Sequence, residues 1–324
     1  MAGERARHHV AIWLPRRFYA AVAATLAEMF ELVNTVRGEA VFSIEYLGAA
    51  DRAVAESGIA FPTRETPVRS PDVVIALAVP GLDRDALVAD LDRESAVVAP
   101  LLDGARRSGA IVAAHCSASW FLADAGMLDR RDATVSWWLK DAVGARFPRV
   151  RWDASRVLVR DGRIYTCGGG FSGLELGRAL LRHLGYATEE QQVRKLLVLP
   201  PSRQSQTPYE MPLEAGAAGG RALRDRLDTL DATEVPRLKA GDLARRLGLS
   251  RRTLLRRFAD EMGVTPQDWL TAQRILLARQ LLESTELPIA DVCHRAGYAD
   301  VPSFGRLFAR RTGMPPGAYR RQSR

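Results

Sequence analysis

Cysteine and histidine are scarce in this chain of 324 residues, which contains three cysteines and five histidines. Cys116, Cys167 and Cys293 lie far apart, without the even count of a disulfide framework or the spacing of metal ligands. No apolar run approaches the roughly 18 residues that cross a bilayer, and the short apolar stretch at residues 10–14 is no secretory core. We therefore expect a cytoplasmic protein with no metal, no cofactor and no membrane contact.

Charge is unevenly distributed along the chain. Lys and Arg number 46 against 38 Asp and Glu, a formal net charge of +8. Residues 1–220 hold 26 of each sign, whereas residues 221–324 hold 20 basic and 12 acidic residues. Because the whole surplus lies in the last third, only that part is expected to meet a polyanion such as nucleic acid. Nearly all its cations are arginines, which suit bidentate contacts to phosphate and guanine.

Strand and helix signals alternate along the first 199 residues. The run 73–79 (VVIALAV) is typical of a strand covered on both faces, and Asp161-Gly162 between two short apolar segments indicates a β-hairpin. Further strands are predicted at 9–14, 41–47, 110–114 and 195–199, and helices at 19–33, 101–107, 117–125 and 174–184. This alternation predicts a flavodoxin-like α/β three-layer sandwich with a mostly parallel sheet.

The composition changes at Pro200. Residues 200–220 are rich in Pro, Ser, Gln, Gly and Ala and end in AGAAGG, which is typical of a linker. The chain that follows has only helical patterns. We predict a domain over residues 1–200, a linker over 201–220, and an all-α domain over 221–324.

The helical part contains an internal repeat with an offset near 50 residues. The segment 242–248 (DLARRLG) aligns with 291–297 (DVCHRAG). One inserted residue later the match continues through Phe258, Gly263, Pro266 and Trp269 in the first copy and Phe308, Gly313, Pro316 and Tyr319 in the second. Each copy reads as a short helix, a glycine turn and a second helix, so the repeat predicts two tandem helix-turn-helix units.

Helical geometry assigns the faces of the second helix in each unit. Leu254 and Phe258 are four residues apart and should face the core, while a different face is predicted to enter the major groove of DNA. The predicted DNA-binding residues are Arg251, Arg252, Leu255, Arg256, Val301, Pro302, Ser303 and Arg306. Because the second unit offers few donors, we expect base discrimination to depend on Arg252 and Arg256, with the second unit mostly contacting phosphates.

Residues 221–319 closely resemble the DNA-binding domain of the AraC/XylS family. The resemblance rests on the run 249–258 (LSRRTLLRRF), on Arg274, and on the closing pattern from Gly297-Tyr298 to Tyr319-Arg320. It implies that the two recognition helices enter successive major grooves on one face of double-stranded DNA. It also implies contact with RNA polymerase and, as the usual outcome in the family, activation of transcription.

Cys116 lies between the predicted strand 110–114 and the predicted helix 117–125. Such a sharp turn with helix amides nearby is typical of a nucleophile elbow and is expected to lower a thiol pKa. Its setting, AHCSA at residues 114–118, resembles the PfpI-type, class I glutamine amidotransferase-like superfamily, and the resemblance continues at 122–128, 133–137 and 164–169. Joined to an AraC-type domain, this pattern is similar to GlxA-type regulators.

A thiol enzyme needs a base within reach of its nucleophile. Val135 and Ser136 stand where relatives often carry a His, and His115 should point away from Cys116 on the strand. We therefore predict a ligand pocket with no catalytic residue. The predicted pocket residues are His115, Cys116, Ser117, Ser136, Gly168 and Gly169. The pattern at 168–173 (GGGFSG) resembles a dinucleotide fingerprint but lacks the acid after the next strand, so a pocket-rim turn is predicted.

These observations predict a sequence-specific DNA-binding transcriptional regulator. The first domain is expected to bind a small metabolite, amino-acid-like or a quaternary amine by analogy with relatives. The expected partners are double-stranded DNA, this small-molecule effector, RNA polymerase and a second copy of the chain in a homodimer. Two alternatives stay open: a thiol hydrolase or amidase with a DNA-binding tail, and an architectural DNA binder whose first domain only dimerises.

Overall fold

The computed structural model describes residues 6–81, 83–199, 202–203, 205–207, 223, 226–227, 230, 234–262 and 264–323. The chain divides into two compact units, Met1–Gln206 and Thr207–Arg324. The first unit thus continues six residues into the predicted linker, most of which lies outside the described residues, as does Gly263 of the repeat. Within the described part of the chain, no helix has the length and apolar character that crossing a membrane requires.

The first unit is built on a six-stranded sheet. Its order is β2-β1-β5-β6-β10-β9, and every neighbouring pair is parallel except β10 with β9. That antiparallel pair is the predicted hairpin, and Gly162 supplies the positive φ of 64° in its turn. Two short ladders, β3 with β4 and β7 with β8, stand apart from the main sheet. The strands are β1 (His8–Trp13), β2 (Phe42–Leu47), β3 (Arg52–Val54), β4 (Ala60–Pro62), β5 (Val73–Ala76), β6 (Ile111–His115), β7 (Asp132–Ala133), β8 (Arg151–Trp152), β9 (Leu158–Asp161) and β10 (Ile164–Cys167).

Helices cover both faces of this sheet. Side chains of β1 alternate between the two faces: Val10 and Ile12 pack in one core with α1, α5 and α6, whereas Ala11 and Trp13 pack in the other with α2 and α3. The first unit is therefore the predicted α/β three-layer sandwich. The helices are α1 (Ala20–Arg37), α2 (Arg84–Ser108), α3 (Ser119–Asp124), α4 (Lys140–Arg146), α5 (Gly173–His183) and α6 (Ala187–Leu196).

The predicted strand over residues 195–199 is wrong. Helix α6 runs to Leu196, and Val198 is 86% exposed with a φ of 51°. A short apolar run fits a strand and a helix end equally well. The earlier turn of α6 decides between them, because Glu190 and Val193 are buried there and leave Leu196 on the outer side.

Helix α2 begins 17 residues before the predicted start at residue 101, at Arg84. The Asp83 carboxylate caps it by accepting a hydrogen bond of 2.9 Å from the backbone N–H of Ala86. Pro100 lies inside the helix, and the buried face continues through it from Leu87 and Leu91 to Leu102.

The second unit consists of helices with two separate cores. The first core contains Leu243, Leu254 and Phe258, and the second contains Phe304 and Phe308. Helix α9 reaches both, because Leu270 packs in the first core while Ile275, Ala278 and Leu282 pack in the second. The helices described are α7 (Ala240–Arg246), α8 (Arg251–Met262), α9 (Pro266–Ser284), α10 (Ile289–Arg295), α11 (Val301–Thr312) and α12 (Pro316–Ser323).

Candidate nucleic-acid interface and effector site

The first helix-turn-helix unit is formed by α7 and α8. Its turn passes through Gly248 at a φ of 60°, a conformation that glycine adopts without steric cost. Ser250 then caps α8: its Oγ accepts a hydrogen bond of 3.1 Å from the backbone N–H of Thr253. Turn and cap together fix where the exposed face of α8 begins.

The second helix-turn-helix unit, formed by α10 and α11, repeats this arrangement. Gly297 takes a φ of 82° in the turn, and the Asp300 carboxylate accepts a hydrogen bond of 2.8 Å from the backbone N–H of Ser303. Pro302 lies in the first turn of α11, where its missing N–H costs no helical hydrogen bond. The two recognition helices therefore share one architecture despite their different side chains.

On α8 the predicted DNA-binding residues form an exposed surface. Leu254 and Phe258 are buried as predicted, while Arg251, Arg252 and Arg256 are exposed. Leu255 is 55% exposed in the middle of these arginines, although it is apolar. An accessible leucine flanked by guanidinium groups has the chemistry to meet a thymine methyl beside guanine or phosphate. The predicted face is thus available to a ligand.

On α11 the predicted residues are less strongly charged. Pro302, Ser303 and Arg306 are exposed and Val301 is half-buried. Ser303 Oγ accepts a hydrogen bond of 2.9 Å from Arg306 Nη2. The single cation of this predicted set is therefore held beside a hydroxyl on its own helix, whereas the α8 set has three cations.

Arg274 of α9 connects the two helix-turn-helix units. Its Nε donates to the Pro236 carbonyl at 2.6 Å, its Nη2 donates to the Leu238 carbonyl at 3.0 Å, and its guanidinium lies 5.5 Å from the centre of the Tyr298 ring. The turns also approach closely here, because a Cβ on Gly297 would lie 2.5 Å from the Pro236 oxygen. This contact fixes the position of one unit against the other.

In the α/β unit, Cys116 lies at the carboxyl end of β6, in the predicted elbow. Its φ of 60° is rare for a residue with a side chain. The Sγ lies 2.6 Å from Ser136 Oγ, and both residues are buried. Burial raises the pKa of the thiol, and the hydrogen bond from Ser136 only partly opposes it. The expectation of a lowered thiol pKa is therefore wrong: desolvation outweighs the nearby amides.

The His115 imidazole is hydrogen-bonded to a backbone carbonyl, whereas the Cys116 thiol is paired with Ser136. Its Nε2 donates to the Gly170 carbonyl at 2.7 Å, and a Cβ on Gly173 would lie 3.7 Å from its ring, so the imidazole packs under the start of α5. Burial lowers the pKa of His115 to about 4. The ring is therefore neutral near pH 7 and is directed at Gly170, not at Cys116.

The other predicted pocket residues lie around Cys116 in close packing. Ser117 Oγ donates to the Val79 carbonyl at 2.9 Å. A Cβ on Gly168 would lie 2.7 Å from the Gln206 amide oxygen, and one on Gly169 would lie 2.6 Å from the Trp138 ring and 3.3 Å from Ser136 Oγ. The two glycines thus let Gln206 and the indole approach the elbow.

Two features of this unit were not predicted. Gln206 packs against Gly168 and Trp138 packs against Gly169, although nothing in their sequence spacing indicates it. A cavity of about 420 Å³ lies elsewhere, between α5 and the β9–β10 hairpin, and none of the predicted pocket residues lines it. Four of its five arginines are paired at a spacing of four residues, 156 with 160 and 178 with 182. The sequence prediction did not use this spacing.

Known transcriptional regulators are similar to this chain over two thirds or more of its length. A family model described as a helix-turn-helix domain matches residues 243–322. The transcriptional regulator GbdR of Pseudomonas aeruginosa is 26% identical over 302 residues, which cover 90% of this chain and 78% of GbdR. The regulator GlxA of Rhizobium meliloti is 28% identical over 226 residues, 67% of each chain. A putative transcriptional regulator from Vibrio parahaemolyticus has the fold of the first unit, with a TM-score of 0.53 and 15% identity over 59% of this chain and 99% of that one.

The geometry of the helical unit and these similarities define the class of the protein. It is a transcriptional regulator whose DNA-binding part is a pair of helix-turn-helix units. Its helical part matches the helix-turn-helix family model, and its first unit has the α/β fold found in the Vibrio parahaemolyticus protein. The relatives named above are transcriptional regulators.

Proposed function

We propose that the protein binds a promoter site by placing α8 and α11 in two successive major grooves. The observation that carries this proposal is the pair of capped recognition helices, each following a positive-φ glycine and each exposing the residues predicted to contact DNA. Arg274 supports it, because a fixed spacing between two readers is what a site with two half-elements requires.

The site itself is found by selecting random duplexes with the full-length chain at two salt concentrations. Enrichment of one sequence with two elements about one helical turn apart, roughly 34 Å, supports the proposal. Weak binding of every sequence that disappears with salt would contradict it, because that behaviour indicates phosphate contacts alone.

The two recognition helices are proposed to have unequal roles in recognising the DNA sequence. Arg252 and Arg256 flank the exposed Leu255 and supply base recognition, whereas Arg306 contacts phosphate. Arg252→Ala should relax the preference at one base position, a loss of about 1–3 kcal/mol there. Arg306→Ala should weaken all sequences by a similar factor, and a loss confined to one base position would contradict this assignment.

The first unit is proposed to sense a small metabolite without converting it. The buried thiol with its raised pKa, and a neutral His115 directed at Gly170, support binding over catalysis. The Cys116→Ala variant should keep both DNA binding and its response to effector. Loss of a hydrolase or amidase activity in this variant would favour the alternative of a thiol enzyme with a DNA-binding tail. Alkylation of Cys116 by iodoacetamide should be slower than that of free cysteine at pH 7.5.

We further propose that the protein acts as a homodimer and activates transcription through RNA polymerase. The support is the similarity of the chain to transcriptional regulators, a transcriptional activator among them, and the presence of a first compact unit that is separate from the DNA-binding part. Sedimentation of the full-length chain tests the dimer, and transcription in vitro from the selected site tests the sign. If no metabolite shifts the melting temperature of the first unit, the architectural alternative is favoured instead.

A further inference from the structure

The cavity in the first unit is strongly basic. It has a volume of about 420 Å³, within the size range of small-molecule sites. Five guanidinium groups line it, with one carboxylate, that of Glu175. The charged residues of the lining are Arg156, Arg160, Arg178, Arg182, Arg203 and Glu175. A wall with this excess of one sign is expected to hold an oxyanion.

The arginines are only partly neutralised by the protein. Glu190, which is buried behind the cavity, accepts from Arg178 Nε at 2.5 Å and from Arg182 Nε at 2.8 Å. Burial opposes the ionisation of Glu190, but these two hydrogen bonds outweigh it and lower its pKa, so the carboxylate is charged. This one anion offsets at most one of the two guanidinium groups that it holds.

Guanidinium hydrogen-bond donors that could bind a ligand remain on both walls of the cavity. Arg178 has 8% side-chain exposure, and only its Nε is engaged, so its two terminal amino groups form no hydrogen bond among the described residues. Across the cavity, Arg156 forms no side-chain hydrogen bond or ion pair within the described chain, and Arg160 donates through Nε to the Gly162 carbonyl at 3.0 Å. A buried arginine with unused donors facing exposed arginines is a site arranged for bidentate contacts.

The fifth arginine comes from the segment that leads to the DNA-binding unit. Arg203 donates from Nε to Glu175 Oε1 and from Nη2 to Glu175 Oε2, both at 2.9 Å, and also to the Phe171 carbonyl at 2.9 Å. Glu175 is buried. An anion in the cavity therefore meets Arg203 at the point where this carboxylate already holds it, and the two compete for the same donors.

We propose that this cavity binds a small oxyanionic metabolite, and that the bound anion acts on the segment leading to the DNA-binding unit by drawing Arg203 away from Glu175. The shared chemistry is that of a dicarboxylate or a phosphate ester on a short carbon chain, since guanidinium groups bind both classes bidentately. Tyr165, Leu158 and Ala179 supply the apolar part of the wall for that chain. The regulatory half rests on the proposed function, whereas the binding half does not.

The test is calorimetric titration of the full-length chain with succinate and with inorganic phosphate, at constant ionic strength, with succinamide as the uncharged control. Arg156→Gln and Arg160→Gln each remove one charge from the wall and should weaken binding about tenfold. Glu175→Gln removes the competing carboxylate and should tighten binding about tenfold. Arg163→Gln is the matched control, because Arg163 is exposed on the same hairpin but does not line the cavity.

Saturable binding of either probe with this pattern of loss and gain supports the site, and the better probe identifies the oxyanion class. No saturable binding, or equal weakening by Arg160→Gln and Arg163→Gln, overturns it, since the cations would then act only as a diffuse field. Occupancy of the selected DNA site is measured in the same solutions. If the anion binds but leaves occupancy unchanged, the regulatory half is overturned; if DNA binds specifically and no anion does, the proposed function stands and this inference fails.

Discussion

Replacing Arg274 with methionine is expected to separate the two helix-turn-helix units without unfolding either core. Arg274 donates to the carbonyls of Pro236 and Leu238 at 2.6 and 3.0 Å, and its guanidinium lies over the Tyr298 ring. A hydrogen bond from a charged donor contributes roughly 1.5 kcal/mol in such half-buried surroundings, and the ring contact adds about 0.5 kcal/mol. The expected loss is about 3.5 kcal/mol, a large fraction of the roughly 5–15 kcal/mol that stabilises a domain.

Hydrogen exchange of the full-length chain measures this loss, because protection in the segment 234–240 reports the contact directly. Affinity for a two-element site should fall, whereas affinity for a duplex with one element should stay within about twofold of wild type. Gln280→Met is the matched control, since Gln280 is exposed on the same helix. If Arg274→Met changes local stability by less than about 0.5 kcal/mol, or weakens one-element and two-element sites equally, the coupling role is refuted.

Three further predictions concern stability. Acidification should destabilise the first unit: burial lowers the pKa of His115 to about 4, so the unfolded chain is protonated first, and stability that is full above pH 6.5 falls by about 3 kcal/mol towards pH 4. Urea midpoints should lose this dependence in His115→Gln, and parallel curves would contradict it. Gly169→Ala places a Cβ 2.6 Å from the Trp138 ring and should cost about 1–3 kcal/mol with altered tryptophan fluorescence, whereas Gly144→Ala, with open space around it, should be neutral or slightly stabilising. Ser250→Ala removes the cap of α8 and should cost about 1 kcal/mol in exchange protection of that helix; unchanged protection would show that the cap is dispensable.

Most of the helical domain can be predicted from the sequence, because its signals are local. The capping serine Ser250, the turn glycines Gly248 and Gly297, and the spacing of Leu254 and Phe258 each act within one helix or one turn. These features need no knowledge of distant contacts, so the two units and their inner faces could be predicted. The contact of Arg274 with Pro236 joins residues 38 apart in the chain. The sequence indicated Arg274 as part of the family motif but not which residues it contacts.

The α/β unit shows where local signals fail. The segment 195–199 has an apolar pattern that fits a strand, but it follows a helix whose buried face is set by Glu190 and Val193. The expected lowering of the Cys116 pKa was a local argument from the turn, and burial by distant parts of the chain reversed it. The packing of Trp138 on Gly169 and of Gln206 on Gly168 likewise depends on residues that are distant in the sequence.

Neighbouring residues specify the class of fold, the two helix-turn-helix units and the face of α8 that carries arginines, because periodicity, caps and turn glycines are local features. Which polar groups lose water and which cations come together depends on the packing of distant segments. Arg156, Arg178 and Arg203 lie in different elements of the chain and become one basic cavity only when the hairpin, α5 and the segment after α6 pack together. Desolvation and charge clustering depend on distances in space, and the sequence does not contain those distances.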